Sequence, residues 1–184
     1  IIQPLTVRKL ASGYYQIIAG ERRWRAARLA GLQEVPVIVM EADDRKAAEL
    51  AMIENLQRED LNPIEEAAGF QSLMETYHMT QEEAASRVGK SRSAVANALR
   101  LLSLTPPVAK LVEEGKLSAG HARALLPLSP ALQENAAGAV ISGGLSVRQT
   151  EALAKRLSLE KPEKAPAPKG IDYAAEAQKE LSSK

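Results

Sequence analysis

The segment 80–102 restricts the possible folds of this chain more than any other part of the sequence. Thr80 is followed three residues later by Glu83, which is the capping-box pattern of a helix start, and Gly89 interrupts the chain before Ser91 caps a second helix. Two short helices joined by such a turn are typical of a helix-turn-helix, whose second helix enters the major groove of DNA. A helical hairpin with no role in DNA binding is the alternative interpretation.

The side chains of the two predicted helices divide into packing residues and residues available to DNA. Ala84 and Ala85 are small enough for close approach of the helices, and Val95, Leu99 and Leu102 are expected to face inward. The residues left for contacts with bases or phosphates are Lys90, Ser91, Arg92, Ser93, Ala96, Asn97 and Arg100. Arginine favours guanine and asparagine favours adenine, whereas lysine and serine at a helix start suit phosphates.

The distribution of charge also favours contact with DNA. From residue 84 to residue 112 the sequence has no acidic residue and five basic ones, although the formal net charge of the whole chain is only +1. Positive charge that is segregated in this way is typical of a nucleic-acid-binding surface. The acid-free stretch therefore supports DNA binding over a purely structural hairpin.

The composition excludes several classes of protein. Cysteine is absent, so disulfides and thiolate metal sites are impossible, and a reducing cytoplasm is the expected location. No apolar run approaches the roughly 18 to 20 residues that span a bilayer, and the N-terminus has no secretory pattern, so no membrane partner is expected. At 184 residues and 45% hydrophobic, the chain suits a pair of small domains.

The first forty residues predict strands and one helix. Three runs rich in β-branched and aromatic residues, at 5–9, 14–19 and 35–40, are separated by turn signals and are expected to be strands. A helix is expected over 21–30, which is dense in Ala, Arg and Leu and is followed by glycine. The chain enters its first strand almost at once, which suggests that further residues of the same sheet lie upstream of Ile1.

From residue 43 onward the sequence predicts helices almost exclusively. One helix is expected over 43–58, and another begins at Asn62-Pro63, a capping residue followed by a first-turn proline, and runs to Tyr77. Later helices are expected to start near Pro106, Ser118, Pro130 and Ser146. The expected fold class is α+β: a small mixed αβ N-terminal domain followed by an all-α helix-turn-helix domain.

The predicted domain boundaries divide the chain into the ranges 1–60, 61–157 and 158–184. The first two ranges hold the αβ domain and the helical domain. The stretch 160–170 contains lysine, glutamate, alanine and three prolines, which is typical of a linker. A helical pattern resumes over 171–181, and it is expected to be the start of a further domain.

The segment 20–25, GERRWR, has the features of an anion-binding site. Its glycine joins a strand end directly to a helix start, where free N–H groups and the positive end of the helix dipole are available. Arg22 and Arg23 can bind phosphate oxygens in forked pairs. The alternative is a basic helix in solvent. Trp24 is expected to be a packing anchor, because aromatic residues make up only 3% of the chain and a base-stacking surface needs several.

The segment 54–58, ENLQR, ends a predicted helix with an acid, an amide and a cation. Glu54 and Asn55 are oxygen ligands of the kind that Mg²⁺ accepts beside substrate phosphates, and Arg58 could bind the phosphate itself. Taken alone the motif is weak, and the alternative is a polar helix end in solvent.

The two histidines are expected to be structural residues. His78 and His121 have no carboxylate or histidine neighbours at metal-ligand spacing, so neither is expected to bind a metal or to act in catalysis. His121 lies in the segment 118–123, SAGHAR. Together with Gly120 it is kept as a candidate contact to DNA.

Four motifs resemble, in order and spacing, those of the ParB family of chromosome-partitioning proteins: GERRWRAA (20–27), ENLQREDLNPIEEA (54–67), GKSRSAVAN (89–97) and LSAGHARAL (117–125). The resemblance covers roughly residues 1–157. It implies a protein that binds CTP with Mg²⁺, dimerises its N-terminal domains into a clamp, loads at a DNA site called parS and slides onto neighbouring DNA. It also implies a slow CTPase, in which hydrolysis reopens the clamp.

The resemblance assigns roles to residues of this sequence. The positions it implies at the nucleotide are Gln3 near the cytosine base, Gly20, Glu21, Arg22 and Arg23 at the triphosphate, Glu54 and Asn55 at the metal, and Arg58 on phosphate. Glu21 and Glu54 are the candidates to support hydrolysis. Arg92 and Gly120 match positions that help to choose the DNA site in this family.

The resemblance further implies partners. Besides parS DNA and a second copy of the chain in a CTP-dependent homodimer, the full-length protein is expected to engage a ParA-type ATPase and condensin. The family tail that engages the ATPase precedes the point where this sequence starts, and segment 172–181 resembles the first residues of a C-terminal dimerisation domain. The expected location is the cytoplasm, in association with the nucleoid.

Three alternatives remain open. The first is a nucleoid-occlusion paralogue, which shares the CTP switch but reads a different DNA site. The second is a helix-turn-helix repressor without nucleotide chemistry. The third is an enzyme that shares the N-terminal fold, such as a sulfiredoxin-like or phosphotransferase relative. Because cysteine is absent, thiol chemistry is excluded for the third.

Overall fold

A computed structural model describes residues 3–58 and 60–159. The strands are β1 Leu5–Lys9, β2 Tyr15–Ala19 and β3 Val37–Val39. The helices are α1 Glu21–Leu29, α2 Asp44–Leu56, α3 Pro63–Tyr77, α4 Gln81–Val88, α5 Arg92–Arg100, α6 Pro106–Glu113, α7 Ala119–Leu125, α8 Pro130–Gly143 and α9 Val147–Leu159. The predicted α+β class is confirmed. The predicted linker over 160–170 and the helix over 171–181 lie outside the described residues.

The strands form a sheet in the order β2-β1-β3, with β1 antiparallel to β2 and parallel to β3. Leu5 and Val7 of the central strand are buried on one face. On the other face the buried guanidinium of Arg8 donates to Gln16 Oε1 at 2.7 Å and to a carboxylate oxygen of Asp44. Because Asp44 opens α2, this ion pair ties the central strand to the start of that helix.

Helix α2 belongs to two parts of the fold at once. It packs against β2 in the N-terminal part, yet Ile53 and Leu56 at its C-terminal end are buried in the same apolar cluster as Phe70, Leu73 and Val95. That cluster is the core of the helix-turn-helix. The predicted boundary at residue 60 stays a prediction, and the apolar contacts of α2 extend beyond it.

A second apolar core joins α6 to α9, with Val108, Leu117 and Leu125 almost fully buried. The short 3₁₀ turn Leu101–Ser103 after α5 contributes to it. The expectation that Leu102 faces inward is wrong: Leu102 is 37% exposed, and Leu101 is buried instead. Leu101 belongs to the second core, in the same cluster as Val108 and Leu125, so the chain buries this residue against a different set of helices from Val95.

The helix starts predicted from local sequence are confirmed. Asn62 accepts hydrogen bonds from the first turn of α3, and Thr80 and Glu83 form a reciprocal capping box at α4. Gly89 ends α4 with φ of +77°, a left-handed conformation that favours glycine, and Ser91 caps α5. Within the described ranges, no helix is both long and apolar enough to cross a membrane.

Candidate nucleotide cleft and DNA-binding surface

A cleft of about 500 Å³ lies between the start of α1 and the end of α2. Its lining residues are Gly20, Glu21, Arg22, Arg23, Arg25, Glu54 and Arg58. The fold therefore brings together the two predicted clusters, 20–25 and 54–58, which are far apart in the sequence. With four arginines and two glutamates, the lining has a net positive charge, which suits a polyanionic ligand.

The turn into α1 is shaped for close approach of an anion. Gly20 has φ of +102° and is buried, and a Cβ there would lie 3.2 Å from Leu5 Cγ and from Arg23 Nη2. A side chain at this position would therefore be both strained and crowded. Among the described residues no side chain caps α1, so the N–H groups of its first turn remain available to an anion.

The two predicted phosphate-binding arginines of α1 have different surroundings. Arg22 is exposed at the cleft. Arg23 is half-buried, and its Nη1 donates to the carbonyl oxygens of Gln3 at 2.9 Å and Pro4 at 2.8 Å. These bonds hold the segment before β1 against α1 and bring Gln3 near the cleft. Sequence spacing alone did not indicate these two acceptors.

Arg58 is held by a residue that the sequence analysis missed. Its Nε and Nη2 donate to the two carboxylate oxygens of Asp60 at 2.9 and 2.7 Å, and its Nη1 donates to Asn55 Oδ1 at 3.3 Å. The hydrogen bond to Asp60 raises the pKa of Arg58, and the same bond lowers the pKa of the Asp60 carboxyl. A phosphate at Arg58 would therefore compete with Asp60. An acid two residues after the arginine was the available signal.

The predicted carboxylates lie on opposite sides of the cleft. Glu21 accepts from Arg25 Nε at 3.0 Å, and Glu54 is exposed one residue before Asn55. In the part of the chain that the structure describes, no three His, Asp or Glu side chains lie close enough together to hold a metal. A Mg²⁺ ion at Glu54 and Asn55 would therefore need phosphate oxygens to complete its coordination, which is common for this ion.

The predicted DNA-contacting residues at the start of α5 lie on an exposed surface. Arg92 and Ser93 are exposed, whereas the Ser91 hydroxyl accepts from the Ala94 N–H at 3.1 Å and so has a capping role. Lys90 forms an ion pair with Glu66 of α3. Arg100, at the other end of α5, is also exposed.

Two predicted DNA contacts of α5 are less accessible. Ala96 and Asn97 are half-buried, and Asn97 lines a cleft of about 210 Å³ between α3, α5 and α7. Arg123 of α7 lines the same cleft and is exposed. The sequence analysis did not select Arg123, although its place in a motif with Gly120 was the available signal.

Gly120 and His121 have structural partners in α7. A Cβ at Gly120 would lie 3.0 Å from Val147 Cγ2, so the glycine permits close packing of α7 on α9. His121 Nδ1 lies 3.0 Å from Ser118 Oγ and completes a capping box. His121 Nε2 is buried and has no hydrogen-bond partner among the described residues. Contact of either residue with DNA stays a prediction.

The fold and the two surfaces define a two-part protein: a mixed-sheet domain with an anion-suited cleft, followed by a helix-turn-helix domain. The family model described as ParB N-terminal domain matches residues 1–56, and the one described as ParB HTH domain matches residues 59–159. The chain belongs to the ParB family, as its motifs indicated.

Individual relatives agree with this assignment. The chromosome-partitioning protein Spo0J of Thermus thermophilus is 56% identical over 159 residues, which are 86% of this chain and 58% of that protein. The probable chromosome-partitioning protein ParB of Coxiella burnetii is 50% identical over 184 residues, 100% of this chain and 63% of the relative. The chain thus spans about three fifths of the length of these relatives.

A solved structure also resembles this one. The C-terminally truncated ParB of Caulobacter crescentus, complexed to the centromeric parS site, superimposes with a TM-score of 0.78 at 51% identity. The match covers 84% of this chain and 82% of the Caulobacter chain.

Proposed function

We propose that this chain is the switch and DNA-reading part of a chromosome-partitioning protein that binds CTP with Mg²⁺ and loads as a homodimeric clamp at parS. The observation that carries the proposal is the convergence of the segments 20–25 and 54–58 on one positively charged cleft, a helix away from a helix-turn-helix. The Caulobacter relative that is complexed to parS supports the choice of DNA site.

The cleft supports triphosphate binding by this chain's own groups. The backbone N–H groups that follow Gly20 would bind the phosphates together with Arg22 and Arg58. Glu54 and Asn55 would coordinate the Mg²⁺ ion. CTP with Mg²⁺ supplies the terminal phosphate bond that is hydrolysed. Glu21 and Glu54 would orient the attacking water, and the slow turnover is what the family motifs imply. The choice of cytosine rests on the family motifs.

The helix-turn-helix reads the DNA site from α5. The exposed Arg92 contacts a base edge. Lys90, Ser91 and Ser93, at the start of the helix, contact DNA phosphates and so fix the position of α5 on the duplex. Paired half-sites require two copies of the chain, so DNA binding and homodimerisation are linked. A ParA-type ATPase and condensin are partners of the full-length protein, which acts in the cytoplasm on the nucleoid.

One observation favours a helix-turn-helix repressor without nucleotide chemistry as the second candidate. The guanidinium groups of Arg23 and Arg58 already bind acceptors within the chain, the carbonyls of Gln3 and Pro4 and the carboxylate of Asp60. In a repressor these arginines would be structural residues. The nucleoid-occlusion paralogue differs from the proposal only in the DNA site that it reads.

The deciding experiment measures binding and hydrolysis of CTP, ATP, GTP and UTP, each with a parS duplex, a scrambled duplex or no DNA. We expect selective CTP binding and turnover that parS stimulates. Arg22→Ala should abolish CTP binding and leave parS binding intact. Arg28→Ala is the matched control on the same helix, because its guanidinium lies 5.7 Å from the Trp24 ring, outside the cleft.

Two results would decide against the proposal. Tight parS binding with no nucleotide bound would support the repressor. Preference for a duplex other than parS, with CTP binding retained, would support the paralogue.

A further inference from the structure

A buried carboxylate connects the helix of the nucleotide cleft to the helix-turn-helix. Glu49 of α2 is 7% exposed. Its Oε1 accepts from Arg87 Nη1 of α4 at 2.9 Å, and its Oε2 accepts from Lys46 Nζ at 3.0 Å. Only the bond to Arg87 crosses between helices, because Lys46 lies one turn earlier on α2 itself.

This ion pair constrains the relative position of α2 and α4 more strongly than an ion pair in solvent would. Taking a carboxylate out of water is unfavourable unless a positive group and hydrogen bonds compensate for it. Removing Arg87 leaves Glu49 with only its intrahelical partner, so the pair contributes to the position of α2 relative to α4, beside the apolar packing of Ile53 and Leu56. The Arg87 end of the pair is accessible to solvent, since half of the Arg87 side chain is exposed.

The surrounding junction is polar and loosely packed. A cavity of about 440 Å³ lies beside the pair, and its lining residues are Arg45, Glu49, Tyr77, His78, Met79, Glu83, Ser86 and Arg87. Close-packed interfaces between helices transmit strain and resist sliding, whereas a cavity leaves room for a second arrangement. The polar side of the α2–α4 contact, at Glu49 and Arg87, can therefore rearrange while Ile53 and Leu56 keep their places in the apolar cluster on the other side.

The two ends of α2 lie at the sheet and at the nucleotide cleft. Arg8 holds Asp44 at the first turn, and Glu54 and Asn55 lie in or beside the cleft at the last turn. Glu49 is five residues before Glu54, which is about 7.5 Å along the helix axis. A shift of α4 that moves Glu49 would move the cleft end of α2 with it.

We propose that Glu49 is a positioning residue that couples the DNA-reading helices to the nucleotide cleft through its ion pair with Arg87. The inference rests on the proposed function, since it names the contact through which parS and CTP influence each other. Coupling is reciprocal, so the factor by which parS changes CTP affinity equals the factor by which CTP changes parS affinity.

The test is the CTP dissociation constant of the 184-residue chain with and without a saturating parS duplex. In the wild type, we expect the duplex to change the CTP constant by at least about fivefold, the lower end of typical coupling. In Arg87→Gln and in Glu49→Gln, the change should fall below about twofold. Each ligand measured alone should bind within about threefold of wild type. The double variant should equal either single one, because both remove the same contact.

Lys46→Gln is the matched control. It removes the intrahelical bond to Glu49 and leaves the bond to α4, so wild-type coupling should remain. Equal loss of coupling in Lys46→Gln would show that neutralising any charge beside Glu49 has the same effect as breaking its contact with α4, and would overturn the inference.

Three other outcomes are distinguishable. Wild-type coupling in Arg87→Gln overturns the inference, and this variant decides the matter even if Glu49→Gln unfolds, because Arg87 is half-exposed. Binding of both ligands by the wild type without mutual influence also overturns it. Absence of CTP binding by the wild type overturns the proposed function itself, and the inference with it.

Discussion

The side chain of Leu56, at the end of α2, lies over Gly69 of α3 with no room for a methyl group between them. A Cβ built at Gly69 would come within 2.5 Å of Leu56 Cδ2, and Leu56 is only 2% exposed. The segment 54–58 thus projects into the cleft from a helix end that is seated in a notch of the neighbouring helix. Glycine at position 69 is what makes this seat possible.

Gly69→Ala should destabilise the fold by about 1 to 3 kcal/mol, because the added methyl overpacks a buried site. The measurement is the free energy of unfolding from urea denaturation. Gly138→Ala is the matched control: it is also a helical glycine, in α8, but a Cβ there has no described atom within 4 Å. The control should gain about 0.5 to 1 kcal/mol from helix propensity. Equal effects of the two substitutions would contradict the overpacking argument.

Asp60→Asn should tighten CTP binding by up to about fivefold, since the exposed ion pair would no longer compete for Arg58. Titration calorimetry with CTP and Mg²⁺ gives the dissociation constant. Glu114→Gln is the control, because it breaks the exposed pair with Lys116 at 2.7 Å, remote from the cleft. If Asp60→Asn weakened binding, Asp60 would instead be needed to orient Arg58.

Acid should weaken the start of α4 through Glu83. The pKa of its carboxyl is lowered, first by the backbone N–H of Thr80 and then by the Thr80 hydroxyl. A lowered folded-state pKa contributes stability above the ordinary value of 4.5, and this stability is lost as the pH falls through the folded-state pKa. Urea midpoints between pH 7 and pH 3 should therefore fall less steeply for Glu83→Gln than for wild type. Glu82→Gln, with an exposed first-turn acid outside the capping box, should retain more of the wild-type slope.

Arg92→Ala should weaken binding to parS by about 1 to 3 kcal/mol, as one good base contact is worth, and should affect a scrambled duplex much less. Fluorescence anisotropy with both duplexes at one salt concentration measures the difference. Lys110→Ala, an exposed cation on α6 outside the helix-turn-helix, should leave the ratio of the two affinities unchanged. An equal loss on both duplexes would make Arg92 a phosphate contact.

The helix starts were predictable because their causes are local. Asn62, Thr80 and Ser91 bond to N–H groups two or three residues ahead, so a short stretch of sequence contains all that the cap needs. The cleft was predictable in part for the same reason, since both clusters lie at helix ends.

The remaining features depend on tertiary packing and leave no local signal. The carbonyl partners of Arg23 and the cross-helix bond between Glu49 and Arg87 join residues that only the folded chain brings together. The burial of Leu101 depends on the second core, whose other members lie further along the chain, on α6 to α9 and their connections. The position of Asn97 on α5 predicts a contact with the DNA groove, yet the neighbouring helices α3 and α7 partly cover its side chain.

Helix α2 has a consequence for how proteins of this architecture can diverge. Because Ile53 and Leu56 complete a core made by α3, α4 and α5, genetic recombination that exchanged only the DNA-reading half would separate residues that pack against each other. A transplanted half from a distant relative could lack the glycine at position 69 on which Leu56 of the retained helix is seated. New DNA specificities should therefore arise by point substitution on the surface of α5 and α7. Helix α2 would be inherited together with the sheet and the helix-turn-helix against which it packs.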